Sequence, residues 1–258
     1  MYALASEHAA HGVPVPVGEP GIVDILLWGV LPYVTILILI GGTIWRYRTD
    51  QFSWTTRSSQ IYESKMLRLG SPLFHYGLAA VFMGHVGGLV VPKMLTDYVV
   101  DDHTYHIVAL VGGSAAALAT IAGLALLLWR RRNNAQVFTA TTANDKFMYF
   151  VLVAVILAGT AATLFSAINP SGGLPPVNGH EVEFNYRTSV AVWFRSIFYF
   201  HPEVALMVNV PLSFKIHIIA AMVLFIIWPF TRLVHALTMP LHYLFRPYTI
   251  YRSRGGER

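Results

Sequence analysis

An all-α membrane protein, a bundle of five transmembrane helices, is the fold this sequence predicts. Three observations predict it. Of the 258 residues, 55% are hydrophobic and only 12% charged, far from the balance of a soluble domain. Five apolar runs are each long enough to cross a hydrocarbon layer, which takes about 20 residues. Basic residues collect at the ends of those runs on one side.

Residues 1–21 contain Glu7, His8, His11, Pro14, Pro16, Glu19 and Pro20. They lack a basic n-region and an apolar h-region, so an exposed N-terminal tail is expected rather than a cleaved signal peptide. The predicted spans follow at 22–45, 71–92, 106–129, 147–168 and 212–235. Pro92 closes the second, Trp129 with Arg130, Arg131 and Arg132 closes the third at an interface, and Pro211 suits the first turn of the fifth. The connection 169–211 opens with Ser171-Gly172-Gly173 and Pro175-Pro176, then carries an apolar, aromatic stretch at 190–200. Eleven residues cannot span. With Arg195 inside it, the stretch predicts a short helix that lies at the interface or caps the bundle.

Fourteen of the 18 basic residues lie in 46–70, in 130–146 or from Arg232, at the end of the fifth span, onward, leaving Lys93, Arg187, Arg195 and Lys215 on the opposite side. The positive-inside rule then places the N-terminus outside and the C-terminus in the cytoplasm. The net charge of +5 reads as this topology signal and not as a nucleic-acid surface. There is no cysteine, which excludes disulfides, thiolate zinc sites, iron–sulfur clusters held by this chain and covalent Cys-x-x-Cys-His haem. Any metal must rely on histidine.

Four of the 11 histidines fall inside spans: His75 and His85 in the second, His217 and His235 in the fifth. An ionisable ring in a membrane helix needs a partner or a cavity. On ideal helices His75 and His85 lie about 80° apart and His217 and His235 share a face, with axial separations of about 15 and 27 Å. Because the two spans run in opposite directions, His75 pairs with His235 toward the cytoplasm and His85 with His217 toward the outside. Straight helices would leave a mismatch of about 12 Å, to be absorbed by tilt, side-chain reach and a kink at Pro229. Paired imidazoles on facing helices suit bis-axial haem iron, so two stacked sites are expected. Gly77, Ala79, Ala80, Gly84, Gly87 and Gly88 leave room for a macrocycle or for close helix packing.

These residues resemble a known family, the gamma subunit of respiratory nitrate reductase, a di-haem cytochrome b. The matching stretches are Ser58-Ser59-Gln60, Leu73-Phe74-His75-x-Gly77, Gly84-His85-x-x-Gly88, Ala140-Thr141-Thr142, Ile216-His217 and Pro229-Phe230-x-Arg232-Leu233-Val234-His235. The resemblance covers about 22–248. It implies two stacked, non-covalent b-type haems, with His75 and His235 ligating the cytoplasmic-side iron and His85 and His217 the outer one. It implies quinol oxidation beside the outer haem, and electron delivery to an iron–sulfur beta subunit and a molybdenum-containing alpha subunit that reduces nitrate. The location implied is the cell membrane of a prokaryote. The chain departs from the family where the quinol pocket carries a lysine, since Thr104 stands there. His103 and His106 are the proposed proton acceptors, with Gly84 and His85 lining the pocket.

Arg232, three residues before His235, reads as a haem propionate partner or a positive-inside anchor. Arg130 to Arg132 read as topology determinants. His8, His11 and His180 read as solvated, His201 as a packing residue and His242 as a surface or subunit contact. The segment 241–258, with tyrosines among arginines, reads as a docking tail for cytoplasmic subunits or a headgroup anchor. The N-terminal tail and the longer outer loop suggest an additional electron-transfer partner outside. Two other readings follow from the same histidines: a related di-haem cytochrome b of a sulfur-metabolism or heterodisulfide-reductase-like complex, and a histidine-lined transporter.

Overall fold

The computed structural model describes residues 17–54, 59–174, 176 and 183–238. The docking tail expected over 241–258, most of the tail expected over 1–21, and His8, His11, His180 and His242 lie outside the described residues. Among those described there is no strand. Five helices are long and apolar enough to cross a membrane: Ile22–Thr49, Lys65–Val90, Asp102–Asn133, Ala143–Ile168 and Leu212–Phe230. The chain is a multi-pass membrane protein.

Three spans begin earlier than their apolar runs because polar caps start them. Glu63 accepts from the Met66 amide at 2.8 Å ahead of the second span. Asp101 accepts from the Thr104 amide at 3.0 Å at the head of the third. Thr142 and Asp145 bond reciprocally at the head of the fourth. Such caps satisfy amides that have no partner within the helix, and hydropathy does not register them.

The fifth span corrects the sequence reading. Instead of one helix over 212–235, the α-helix runs Leu212–Ile227, a tight turn follows at Trp228–Phe230, and Thr231 is extended (φ −119°, ψ 179°) before a second tight-helical segment, Arg232–Thr238. Pro229 supplies the cause, since it has no amide to donate and its ring collides with the preceding turn. The carbonyls freed by the break are taken up from neighbouring helices. Arg46 donates to the Pro229 and Thr231 carbonyls at 2.6 and 2.7 Å, and Asn144 donates to the Phe230 carbonyl at 2.8 Å.

In lipid, helices associate through close contact and hydrogen bonds more than through water exclusion. The second and third spans meet along small residues: a Cβ added at Gly77 would lie 2.7 Å from the Thr120 amide nitrogen, and one at Gly123 would strike the Phe74 backbone. The fifth span packs on the fourth and the first, whereas the second and fifth do not pack closely on each other. Side chains gather into two apolar cores. One, around Phe74, Leu124, Met148 and Leu224, lies toward the arginine-rich ends. The other, around Trp28, Trp193, Ile197 and Met222, lies at the opposite end.

That second core is closed by a short helix, Val190–Phe198, which caps the bundle. Trp193 sets its ring edge-on to Trp28 at 5.8 Å and donates Nε1 to the Trp28 carbonyl at 2.8 Å. The helix stops two residues before the apolar stretch does, and Phe200 then adopts positive φ (58°) as the chain turns.

Candidate functional site

The second span is α-helical through His85, where it loosens into a π-turn over Val86–Val90. Such turns leave carbonyls poorly served and often mark functional positions. Here Arg195 of the cap helix donates to the Leu89 carbonyl at 2.9 Å and holds the turn. Facing this span across the bundle, the α-helix of the fifth carries His217 and the segment beyond the break carries His235.

The four rings come together in two pairs. His75 and His235 have ring centres 6.3 Å apart with planes at 72°, and His85 and His217 are 6.0 Å apart at 43°. A continuous helix from His217 to His235 would overshoot the His75–His85 spacing by about 12 Å. Tighter winding would only lengthen it, because a 3₁₀ turn rises about 2.0 Å per residue. The change of direction at Thr231 brings His235 back into register, so the break at Pro229 is part of the site.

Each ring is oriented in the same way. Nδ1 lies 2.7 Å from the Ser71 carbonyl in His75, 2.8 Å from the Val81 carbonyl in His85, 3.1 Å from the Val155 carbonyl in His217 and 2.5 Å from the Arg232 carbonyl in His235. A carbonyl oxygen only accepts, so Nδ1 carries the proton in each case. That tautomer puts the lone pair on Nε2, the arrangement by which backbone carbonyls orient histidine ligands at metal sites. His217 reaches Val155 because the fourth span has glycine opposite it: a Cβ at Gly159 would lie 2.7 Å from the His217 Cε1.

These residues fit haem iron. A metal held by two imidazole nitrogens at about 2 Å each sets ring centres about 6 Å apart, close to both observed separations. Among the described residues no group of three or more His, Asp or Glu side chains is placed to hold a metal ion. Two imidazoles per site therefore suit an iron that brings its other ligands with it, as a porphyrin does. A Cβ at Gly84 or Gly87 would meet nothing within 4 Å, so the helix surface flanking His85 is not filled by protein packing.

The remaining predicted residues fall as follows. Arg232 turns Nε and Nη2 onto the two carboxylate oxygens of Asp145, at 2.7 and 2.6 Å, and both side chains are largely buried. It thereby ties the His235 segment to the fourth span. His103 and His106 are exposed in the first turn of the third span, where the Thr104 amide, with His103 beside it, holds the Asp101 carboxyl below its usual range. Arg130 is 2% exposed and binds Ser59 and Glu63, which accounts for Ser59 in the sequence pattern. His201 is exposed, 3.5 Å from the Glu203 carboxylate. Sequence reasoning missed Asp145, Gly159 and Tyr186, each of which matters only through its contact with another span or loop.

Comparison with known proteins places this arrangement. The model of the nitrate reductase gamma subunit family matches residues 24–254. The chain is 42% identical over 231 residues to the nitrate reductase gamma chain of Bacillus subtilis, across 89% of this chain and 98% of that one. It is 30% identical to the respiratory nitrate reductase 2 gamma chain of Escherichia coli, across 90% and 97%. It is also 51% identical over 230 residues to the nitrate reductase-like protein NarX of Mycobacterium tuberculosis, of which it spans only 34%. With a match that runs through all five spans, this chain belongs to the nitrate reductase gamma subunit family.

Proposed function

We propose that the chain is the membrane cytochrome b of a quinol:nitrate oxidoreductase, with a b-type haem at each histidine pair. Quinol is oxidised beside His85 and His217 at the outer face. Electrons leave at the cytoplasmic face for an iron–sulfur beta subunit and a molybdenum-containing alpha subunit. The N-terminus is outside, the C-terminus is in the cytoplasm, and the membrane is the inner membrane of a prokaryote. One observation carries this reading: four imidazoles meet in two pairs at haem-like separation, each with Nδ1 on a backbone carbonyl. The names of the relatives from Bacillus subtilis and Escherichia coli support nitrate reductase as the complex served.

When bound, haem supplies a one-electron carrier, and two of them in series divide the membrane crossing into short steps. The protein's own part is to hold and orient. The carbonyls of Ser71, Val81, Val155 and Arg232 fix the ring tautomers, and Gly159 admits His217 against the fourth span. His103 and His106, exposed at the head of the third span, accept the protons released as quinol is oxidised. Gly84 leaves the face beside His85 open to the quinol ring. Proton release outside and electron exit inside separate charge across the membrane.

The test is a reduced-minus-oxidised optical spectrum of the purified complex, with a count of haem and of co-purifying subunits. Two haems b per chain, reduced by a quinol analogue, together with a molybdenum-containing partner, is the expected result. A colourless preparation overturns the proposal.

A further inference from the structure

Four basic side chains lie toward the cap end of the bundle, and three of them have oxygen partners that account for them. Lys93 stands between the carboxylates of Asp97 and Asp102, at 2.9 and 2.7 Å. Arg195 donates to the Leu89 carbonyl and Lys215 to the Val208 carbonyl. Arg187 differs. It is 3% exposed, its guanidinium lies 4.0 Å from the ring centre of Tyr105, and its Nη2 donates to the Thr96 hydroxyl at 2.7 Å. Its Nε and Nη1 have no hydrogen-bond partner, and it forms no ion pair among the described residues.

A guanidinium cannot shed its charge, and those two nitrogens carry three of its five N–H donors. Burying a cation with most of its donors unmet is strongly unfavourable unless something supplies the missing charge. The Tyr186 phenol does not. Burial, with the adjacent Tyr105, raises the Tyr186 hydroxyl above its usual value, so it stays neutral. The position is informative as well. A Cβ at Gly88, one turn beyond His85, would lie 3.0 Å from the Tyr186 hydroxyl, and Tyr105 sits between Thr104 and His106. Arg187 thus follows a tyrosine packed on Gly88, three residues from His85, and joins the outer loop to Thr96 and to Tyr105 at the head of the third span.

We propose that Arg187 binds an acidic oxygen presented beside the His85–His217 pair: the propionate carboxylate of a haem held there, or the head-group oxygen of a quinol docked against it. The inference rests on reading that pair as the outer haem and quinol site. Tyr105 holds the flat face of the guanidinium and Thr96 one edge, which leaves Nε and Nη1 without a partner among the described residues.

The experiment uses the assembled, purified complex carrying Arg187→Gln, with two readouts: the midpoint potential of each haem, and the affinity for heptyl-hydroxyquinoline N-oxide measured by fluorescence quenching. Loss of a cation next to a propionate lowers the potential of the outer haem alone and leaves the quinol analogue bound as before. Loss of a cation next to the quinol weakens the analogue on the order of tenfold with both potentials unchanged. Either result supports the assignment and identifies the source of the oxygen. Unchanged potentials and unchanged affinity, with both haems present, overturn it while leaving the haem reading intact; a wild-type complex without haem would instead sink that reading. Should Arg187→Gln fail to assemble, Arg187→Met, which keeps much of the length of the side chain but not the charge or the donors, is read in the same two assays. A wild-type result in both then overturns the proposal.

Discussion

His85 and His217 hold their ring centres 6.0 Å apart although the spans that carry them do not pack closely on one another. Direct helix packing would exclude anything flat from between them. Instead the third span supports the second, the first and fourth support the fifth, and the imidazoles reach across what lies between. The first prediction follows from the pairing. With a haem at each pair, as proposed, replacing His85 or His217 with alanine is expected to remove the outer one and leave one per chain, and replacing His75 or His235 to remove the other. Haem counts by pyridine haemochrome decide it. Two haems retained after any one of these changes would refute the assignment of ligands.

Gly159 offers a subtler handle on the same site. An added methyl there would sit 2.7 Å from the His217 ring carbon, too close to be tolerated without movement, so Gly159→Ala pushes the ring off the Val155 carbonyl. The expected outcome is a shifted electron paramagnetic signal or partial loss of the outer haem, with the inner one untouched. Gly84→Ala provides the control for helix packing, since its added methyl meets no protein atom within 4 Å. The chain should therefore assemble normally with alanine there. Equal damage to both haems by Gly159→Ala would contradict this account.

The Asp145–Arg232 pair predicts a different failure. Both side chains are largely buried and the contact uses two nitrogens and two oxygens. Removing one partner of such a pair typically costs about 3–5 kcal/mol, because the other charge is left stranded. Asp145→Ala is therefore expected to lower thermal stability and to release the inner haem first, since His235 follows Arg232 by three residues on the same short segment. The double replacement of both residues should recover part of the lost stability. If Asp145→Ala loses the outer haem first, the pair does not act on His235.

Much of this was legible in the sequence, and the remainder was hidden for identifiable reasons. Hydropathy located all five spans because each is long and apolar, and opposite chain directions alone paired His75 with His235 and His85 with His217. The starts of the second, third and fourth spans were misjudged by several residues because Glu63, Asp101 and Thr142 act through hydrogen bonds that a hydropathy window cannot see, whereas the first and fifth begin where hydropathy put them. Pro229 signalled a kink, yet the extended residue at Thr231 depends on Arg46 and Asn144 from other spans to hold the freed carbonyls. Arg232 looked free to bind a propionate because its partner, Asp145, lies 87 residues away along the chain. Arg187 was visible as one of four outer basic residues, but its burial is a property of the fold.

The last prediction concerns acid. Arg130 is 2% exposed and donates Nε to Glu63 at 2.6 Å, tying the connection after the first span to the end of the third. The Met66 amide, and with it Arg130, holds the Glu63 carboxyl below its usual range. A carboxyl whose value is lowered on folding contributes stability that is complete above its unfolded value, about 4.3. That contribution disappears as the pH falls through the folded value. Glu63→Gln is therefore expected to melt below the wild type at about pH 7, with the gap narrowing as the pH is lowered toward about 3. Melting curves of the detergent-solubilised chain at several pH values measure it. Subtracting one curve from the other cancels the acid sensitivity of every other carboxylate. A gap of constant size across that range would mean that Glu63 holds Arg130 by shape alone, and that the charge on the pair does not stabilise this end of the bundle.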